Sequence, residues 1–379
     1  MSGKPKAYDA ARAEAKRYPG ERLVLILFFV FMLAPLAANL LGLEFFTDNF
    51  EKRTKATFPP FNLQDKNIYR FPTRFNEYFN DHFGLRDVMI RGYVTLKKDV
   101  MHATQINKVI LGEGKWLYFK YETPDGDPIA TYMGTNLMTG RELRLYTKVL
   151  NSWNDWMKEK GVPMLLMIPP DKESIYPEYL PPQVKKVRDY NRTDQILDAL
   201  KKDTTFPVVN PCPALLEHKK EPLFLHTDTH WTSLGAFFGY QQFMKTAATM
   251  LPQWNLRIPE RDDFKWTLVP YPSGDLGRML MNFDPKLDRN LAFEPKPIAK
   301  REGPKPKLLF FGDSFSWGLM PYLKLQFEVH RIALEDAVYK TTFEDVLPSS
   351  FLESFKPDLF MFEVVERNAH ILKTIGVEQ

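Results

Sequence analysis

A serine in a tight turn is the sharpest chemical feature of the sequence. Gly312-Asp313-Ser314-Phe315-Ser316 directly follows the apolar run KLLFF (307–311) and precedes a segment that favours a helix. In a parallel α/β sheet, ligands bind at the carboxyl ends of the strands, and a serine in a strand-to-helix turn exposes its hydroxyl there. Its own amide then lies near a helix N-terminus, ready to bind an oxyanion. The pattern indicates a nucleophile, and the alternative is a serine that only caps the helix.

A histidine and an aspartate two residues apart offer the partners that such a serine needs. They lie in His226-Thr227-Asp228-Thr229-His230-Trp231, just before a long apolar-faced segment (232–251). A serine nucleophile requires a base, and the base requires an acceptor that fixes its tautomer. In an extended segment, side chains two positions apart point the same way, so Asp228 can reach the ring of His230.

The same alternation places His226 on that face, which leaves a rival interpretation. His226, Asp228 and His230 together have the imidazole and carboxylate groups of a metal site. No other ligand cluster lies nearby in the sequence, and we therefore expect no metal. A third interpretation, polar residues that merely begin a helix, leaves the serine turn unexplained.

The pattern of apolar residues indicates the scaffold. The continuous apolar runs VPMLLMI (162–168), KLLFF (307–311) and DLFMFEVV (358–365) alternate with helical segments. Such strands are typical of a parallel sheet covered by helices on both faces. KVILGEGKWLYF (108–119) predicts a hairpin. Residues 252–306 are rich in proline, glycine and charge, which predicts an irregular insertion that serves as a functional loop or lid.

An uncharged segment near the N-terminus predicts a membrane anchor. Leu23–Leu43 would form a helix of about 31 Å, which matches the hydrocarbon core of a bilayer. Six basic residues against three acidic ones precede it, which favours a cytoplasmic N-terminus. The predicted organisation is a cytoplasmic tail (1–22), a transmembrane helix (23–43), a stalk (44–70) and an extracytoplasmic domain (71–379). The rivals are a cleaved signal peptide and a buried core helix.

Composition excludes several classes of protein. The 51 Lys and Arg nearly balance the 47 Asp and Glu, which argues against a nucleic-acid binder. The single cysteine, Cys212, excludes an internal disulfide framework and multi-cysteine metal sites. Aromatic residues make up 14% of the chain, enough to supply a surface that stacks on sugar rings.

Several blocks of sequence carry a resemblance to a known family. DTHWTSLGA (228–236) and GDSFS (312–316) resemble the alginate O-acetyltransferase family of SGNH-hydrolase-like proteins, the AlgX/AlgJ type. The other similar blocks, in family order, are NDHFGLR (80–86), GEGKWLYF (112–119), IPPDKESIYPEYLP (168–181), SGDLGRML (273–280) and PDLFMFEVVER (357–367). The resemblance is to the membrane-anchored, single-domain branch.

The resemblance implies an SGNH-hydrolase-like α/β fold and a triad of Ser314, His230 and Asp228. The chain order Asp, His, Ser is reversed relative to ordinary SGNH esterases, so the topology looks circularly permuted. The family moves acetyl groups onto polysaccharide hydroxyls outside the cytoplasmic membrane, in the periplasm or extracytoplasmic space. The implied partners are the polysaccharide acceptor and a multi-pass acyltransferase of the MBOAT type that passes acetyl across the membrane. No cofactor is expected.

The sequence also offers candidates for the oxyanion hole and for substrate binding. The Gly-x-Asn-Asp block that supplies the oxyanion-hole asparagine of SGNH hydrolases is not visible, so only the Ser314 amide is a firm donor. Asn368 and the neighbouring Arg367 are further candidates for binding the oxyanion or the substrate. Lys172 and Asp275 fall in family-like blocks and either contact substrate or form structural salt bridges. Three aromatic residues near the motifs either stack on sugars or belong to the core: Trp231, Trp317 and Tyr322.

Two rival functions remain open. An acetylesterase that trims a secreted or cell-wall glycan would use the same triad. A non-catalytic polysaccharide-binding or assembly factor would keep the fold as a scaffold.

Overall fold

The computed structural model describes residues 20–43, 55–64, 66–271, 274–280, 288–338 and 340–376. By its internal contacts the chain divides into two compact units, Met1–Leu96 and Lys97–Gln379. Most of the expected cytoplasmic tail and residues 44–54 of the expected stalk lie outside the described residues.

The first unit contains an apolar helix, α1 (Glu21–Leu40). Its most apolar window has a mean hydropathy of 2.6, and within the described ranges it is the one helix long and apolar enough to cross a membrane. The prediction of an apolar helix is confirmed, although the helix ends at Leu40 and the chain turns there through Gly42, whose φ is 61°. Length and composition alone make α1 a weak sign of a membrane anchor or signal.

Two shorter helices complete the description of the first unit, α2 (Phe71–Asp81) and α3 (Arg86–Thr95). The loop between them packs on α1, where the Asn39 side-chain amide donates a hydrogen bond to the His82 carbonyl at 3.0 Å. Such contacts group α2 and α3 with the apolar helix. The boundary between the two units follows Leu96, and the start of the extracytoplasmic domain at residue 71 stays a prediction.

The second unit has a small antiparallel sheet and a larger parallel one. The small sheet is formed by β1 (Gln105–Ile106), β2 (Val109–Leu111) and β3 (Leu117–Phe119). Ile110 lies opposite Tyr118 across β2 and β3, which confirms the predicted hairpin. The further strands are, in chain order, β4 (Met164–Met167), β5 (Val208–Val209), β6 (Phe264–Pro270), β7 (Arg289–Pro295), β8 (Lys307–Gly312), β9 (Glu328–Ala333) and β10 (Leu359–Glu363).

The large sheet has the strand order β5-β4-β10-β8-β9, and every neighbouring pair is parallel. The register aligns Glu363 of β10 with Met167 of β4 and with Gly312 of β8. The three central strands thus end at one carboxyl edge, and the predicted parallel sheet is confirmed. The edge is where ligands bind in such sheets.

Helices cover both faces of this sheet. The described α-helices of this unit are, in chain order, α4 (Pro128–Met133), α5 (Gly140–Glu159), α6 (Lys172–Ile175), α7 (Arg192–Asp203), α8 (Cys212–Glu217), α9 (Ser233–Met250), α10 (Asp275–Met279), α11 (Ser316–Gln326), α12 (Phe343–Val346) and α13 (Ser349–Phe355). Successive strand residues point to opposite faces. Leu308 and Phe310 therefore join a core with α9 and α11, while Leu309 and Phe311 join a second core with α5, α7 and α13.

The predicted irregular insertion contains regular structure. Strands β6 and β7 pair as an antiparallel hairpin. The register runs without a break from Phe264 opposite Pro295 to Pro270 opposite Arg289, and α10 lies between the two strands in the chain. The apolar residues Phe264, Trp266 and Leu268 alternate with polar residues along β6, as in a half-buried strand, but the proline, glycine and charge of the surrounding region led to the prediction of irregular structure. Residues 272–273 and 281–287 of the insertion lie outside the described residues.

Candidate active site

Ser314 lies in the turn between β8 and α11, at the carboxyl edge of the sheet. Gly312 makes this turn possible, because a Cβ there would lie 2.6 Å from Phe310 Cε2 and 2.7 Å from Ser316 Cβ. The turn exposes Ser314 and buries the residues on either side of it. Since α11 begins at Ser316, the exposed hydroxyl lies directly ahead of a helix N-terminus.

His230 joins this serine to a buried carboxylate. Its Nε2 lies 2.8 Å from Ser314 Oγ, and its Nδ1 lies 2.7 Å from Asp228 Oδ1. The His230 side chain is 32% exposed and that of Asp228 only 4%, so the imidazole bridges a solvent-facing hydroxyl and a shielded carboxylate. With Nδ1–H donated to Asp228, Nε2 is left to accept the serine proton, a tautomer assigned from the hydrogen-bond network.

The environment of Asp228 keeps it ionised. Burial alone raises the pKa of Asp228, but the hydrogen bond and charge of His230 and two backbone amides hold this pKa below its usual value. Those amides are His230 N–H, which donates to Oδ1 at 3.0 Å, and Asp275 N–H, which donates to Oδ2 at 3.2 Å. An orienting acid must stay ionised in this way to stabilise an imidazolium.

The aspartate before the serine fixes the turn. Asp313 Oδ1 accepts from Phe315 N–H at 2.9 Å, and Oδ2 accepts from Val365 N–H at 2.8 Å. Val365 follows β10, so Asp313 ties the serine turn to the end of the central strand.

Arg331 of β9 supports the same turn from the other side. Its Nε donates to Ser316 Oγ at 2.6 Å, and its Nη2 donates to the carbonyls of Gly312 and Asp313 at 2.6 and 3.0 Å. Nothing in the sequence singled out this arginine, because its partners are mostly backbone atoms of a distant segment.

Lys172 holds the segment that carries Asp228. Its Nζ donates to the carbonyls of Leu225, His226 and Asp228 at 3.1, 3.2 and 2.6 Å. The side chain is buried, and burial lowers the pKa of Lys172 while nearby carboxylates oppose that fall. An ammonium has three N–H donors. All three have backbone partners here, so of the two predicted alternatives the geometry favours a structural role, as a positioning residue that bonds to carbonyls, over contact with substrate.

The insertion brings Asp275 to the same segment. Its Oδ1 accepts from Thr229 N–H at 2.8 Å, its Oδ2 accepts from Thr229 Oγ1 at 2.6 Å, and Oδ2 also lies 3.8 Å from His230 Nδ1. Gly274 permits this approach, since a Cβ there would lie 2.5 Å from Asp228 Cβ. Asp275 is thus part of the site, as a support of the segment around His230.

Three of these groups have the spacing of metal ligands. Ligand atoms of Asp228, His230 and Asp275 lie within 4.8 Å of one another. His226, which the sequence offered as a ligand of the rival metal site, is not in this group, and its Nδ1 lies 3.1 Å from Asp288 Oδ1 instead. A metal ion would have to replace the hydrogen bond between Asp228 and His230.

Asp288 is a residue of the site region that the sequence did not indicate. Its side chain is 1% exposed. It accepts hydrogen bonds from His226 N–H at 2.7 Å, from Thr227 N–H at 3.0 Å and from the Thr227 hydroxyl. Burial by itself raises the pKa of Asp288, and the bonds from His226 and Thr227 hold it below its usual value.

Arg367 and Asn368 lie beyond the end of β10. Arg367 pairs with the buried Asp171 through its guanidinium and through its backbone N–H at 2.8 Å, and its guanidinium carbon lies 5.4 Å from the centre of the Phe315 ring. Arg367 therefore packs beside the serine turn. Asn368 N–H donates to the Val365 carbonyl at 2.8 Å. Nothing in the structure tests a second oxyanion donor at Asn368, which stays a prediction.

Two of the three expected stacking residues belong to the core. Trp231 is buried and its Nε1 donates to the Phe315 carbonyl at 3.2 Å, and Tyr322 is fully buried with its hydroxyl bonded to a backbone carbonyl. Of the two alternatives predicted for these residues, the structure favours the core for both. Trp317 is 61% exposed, and the Arg331 guanidinium lies 4.5 Å from its ring centre. Trp317 thus remains available to a ligand.

The chain is similar to several known proteins. Residues 109–366 match the family described as SGNH hydrolase-like domain, acetyltransferase AlgX. No curated protein sequence is significantly similar to the chain. PatB1 of Bacillus cereus is similar in fold, with a TM-score of 0.52 and 15% identity over 70% of this chain and 99% of that one. The O-acetyltransferase domain of Pseudomonas putida AlgJ has a TM-score of 0.47 and 20% identity over 69% and 92%. The family match spans more than half of this chain, and the chain therefore belongs to the AlgX family of SGNH-hydrolase-like acetyltransferase domains.

Proposed function

We propose that this protein transfers acetyl groups to hydroxyls of a polysaccharide outside the cytoplasm, through an acetyl ester on Ser314. One chain of contacts supports the proposal: Ser314 Oγ to His230 Nε2 at 2.8 Å, and His230 Nδ1 to Asp228 Oδ1 at 2.7 Å. These are the nucleophile, base and orienting acid of acyl transfer. Family membership supports acetyl as the group that moves.

The first half-reaction forms the acetyl-enzyme. Ser314 Oγ attacks the carbonyl carbon of an acetyl ester or thioester while His230 takes the hydroxyl proton at Nε2. The bond between that carbon and the leaving group then breaks, and the leaving group takes the proton from His230. Asp228, ionised and bonded to Nδ1, stabilises the transient imidazolium.

The second half-reaction delivers the acetyl group. A sugar hydroxyl attacks the acetyl carbon as His230 accepts its proton. The bond from that carbon to Ser314 Oγ breaks, and His230 returns the proton to the serine. The sugar must be positioned well enough to outcompete water for this step.

Both halves develop negative charge on the acetyl oxygen, which needs N–H donors. The Ser314 amide lies just ahead of α11, whose N-terminus favours such charge. The Phe315 amide is already bonded to Asp313 at 2.9 Å, so it is not the second donor. The proposal assigns that place to Asn368, the polar residue that follows Arg367 beside the turn.

The N-terminal segment supports a location at the cytoplasmic membrane. The excess of basic residues before α1 favours a cytoplasmic N-terminus and an extracytoplasmic catalytic unit. Acetyl-CoA is cytoplasmic, so acetyl must reach this unit through a partner, for which a multi-pass MBOAT-type acyltransferase is the proposed class. The triad works with side chains alone and calls for no cofactor.

An acetylesterase is the second candidate, because Ser314 is exposed and water can reach an acetyl-serine. Product analysis separates the two. Full-length protein in detergent is incubated with p-nitrophenyl acetate and increasing amounts of oligosaccharide acceptor. We expect acetylated sugar to rise at the expense of free acetate. Acetate alone at every acceptor concentration would instead establish an esterase.

A non-catalytic assembly factor makes a different prediction in cells. Ser314→Ala would then leave polymer acetylation intact and change only its export. The proposed transferase requires that Ser314→Ala abolish acetylation while the protein is still produced and folded.

A further inference from the structure

A second histidine–aspartate pair lies beside the triad and takes no part in the steps above. His226 Nδ1 lies 3.1 Å from Asp288 Oδ1, and the same oxygen accepts from His226 N–H at 2.7 Å. This repeats the bonding of His230, whose ring and backbone N–H both reach Asp228 Oδ1. In each pair the carboxylate is buried and the imidazole is partly exposed.

The two pairs are held close together by one ammonium group. Lys172 Nζ donates to the carbonyl of His226 at 3.2 Å and to that of Asp228 at 2.6 Å. The backbone of both residues therefore lies within hydrogen-bonding distance of a single atom. Leu117 N–H donates to the His226 carbonyl at 2.8 Å, which fixes the segment further.

The ring of His226 is oriented as firmly as its backbone. It packs on Trp116 with 4.4 Å between ring centres, and Trp116 in turn stacks on Tyr179 at 4.9 Å. Even so, 36% of the His226 side chain is exposed. The His226 ring is therefore held in place by Trp116 while part of it is exposed to solvent, where a ligand can reach it.

The hydrogen bond to Asp288 determines whether the other ring nitrogen of His226, Nε2, donates or accepts a hydrogen bond. With Nδ1–H donated to the carboxylate, Nε2 of the neutral ring is a hydrogen-bond acceptor, a tautomer that follows from the network. Within the described part of the chain, no group donates to Nε2. An acceptor nitrogen matches an O–H group. It does not match the carbonyl oxygen of an acetyl donor, which requires N–H groups.

We infer that His226 binds a hydroxyl of the acceptor glycan through Nε2, with Asp288 and Trp116 as its positioning residues. The inference rests on the proposed transferase function and names the group that holds its second substrate. His226 exchanges no proton in this role. It orients the sugar so that another hydroxyl meets the acetyl-serine.

The test compares the two half-reactions in full-length protein in detergent. His226→Phe keeps a ring against Trp116 and removes both nitrogens. p-Nitrophenyl acetate is the donor, and a mannuronate hexamer, cellohexaose and chitohexaose are the acceptors. The burst of p-nitrophenol measures acetyl-serine formation. The ratio of acetylated sugar to free acetate measures how much of the acetyl group is transferred to the acceptor.

We expect His226→Phe to keep the burst rate within about twofold and to lower the ratio about tenfold, as for the loss of one hydrogen bond. His226→Gln, whose amide oxygen is an acceptor, should recover part of the ratio. An unchanged ratio would overturn the inference, and so would a burst that falls by the same factor, since that indicates a packing role. If the wild-type protein gives acetate alone with every acceptor, the proposed transferase function fails and the inference fails with it.

Discussion

His230 Nε2 lies 2.8 Å from Ser314 Oγ, although 84 residues separate the two in the chain. Two independent supports produce this contact. The end of β8, fixed by Asp313 and Arg331, presents the serine, while the Lys172 ammonium fixes the segment that leads to the histidine. The proposed triad is therefore assembled before any substrate binds, which is the preorganisation that acyl transfer requires.

Replacing the orienting acid should nearly abolish acetyl-enzyme formation. Asp228→Asn removes the charge that stabilises the imidazolium and favours the wrong His230 tautomer. In a serine protease triad the same change lowers kcat by about four orders of magnitude, and we expect a loss of that order in the p-nitrophenol burst. The control is Asp275→Asn, because its carboxylate lies 3.8 Å from the same ring nitrogen. A larger loss for Asp275→Asn than for Asp228→Asn would mean that the two carboxylates have exchanged roles.

Removing the buried ammonium should weaken both stability and catalysis. Lys172→Met removes the ammonium donor from three carbonyls, of which that of His226 keeps the Leu117 N–H as a donor, and we expect the free energy of unfolding to fall by about 3 kcal/mol. The loosened segment should also slow sulfonyl fluoride labelling of Ser314 by about a hundredfold, the effect of a small misplacement of a catalytic group.

The matched control for that prediction is Lys219→Met. Lys219 pairs with Glu178 at 3.0 Å on the surface, where an ion pair contributes under about 1 kcal/mol. Thermal unfolding and labelling rates of both variants provide the measurement. Equal behaviour of the two variants would rule out the positioning role of Lys172.

A buried carboxyl group under the serine turn should make stability depend on pH. Both carboxylate oxygens of Glu363 are buried without a hydrogen-bond partner among the described residues, and burial together with the Asp313 charge raises the pKa of Glu363 well above its usual value. The folded protein keeps a proton that the unfolded chain loses above about pH 4.3. Stability from this group is therefore full at low pH and is lost as pH rises.

Glu363→Gln keeps the shape and removes the titration. Its melting temperature relative to wild type should rise between about pH 5 and about pH 8. A difference in melting temperature that is the same at both pH values would contradict a raised pKa at Glu363.

A chelator should leave the reaction unchanged. Asp228, His230 and Asp275 have the spacing of metal ligands, but Asp228 and His230 are hydrogen-bonded to each other in the structure. We expect EDTA to have no effect on the p-nitrophenol burst and added Zn²⁺ to inhibit it by capturing His230. Loss of the burst in EDTA, with recovery on adding a divalent metal, would support the metal site instead.

Local patterns in the sequence were enough to predict the scaffold and the serine turn. Residues 308–311 (LLFF) are apolar throughout because β8 is covered on both faces, and the turn after them is marked by its small and polar residues. Asp228 and His230 are two residues apart, so their pairing also has a local signal.

Contacts between distant segments had no such signal. Asp288 is hydrogen-bonded to a residue 62 positions away, and Arg331 to residues 15 to 19 positions away. Both lie in stretches with no motif. The burial of Trp231 and Tyr322 was equally hidden, since residue type does not tell on which side of a helix or turn an aromatic ring lies. The hairpin of β6 and β7 is a different case, because the alternation of Phe264, Trp266 and Leu268 is a local strand signal that the proline, glycine and charge around it outweighed in the prediction.

The most direct test of the account is the mass of the full-length protein after brief incubation with p-nitrophenyl acetate, followed by peptide mapping. The account predicts one added acetyl group on Ser314 in the wild-type protein and in Lys219→Met, and none in Ser314→Ala or His230→Ala. Acetylation at another residue, or acetylation of Ser314 that does not depend on His230, would contradict it.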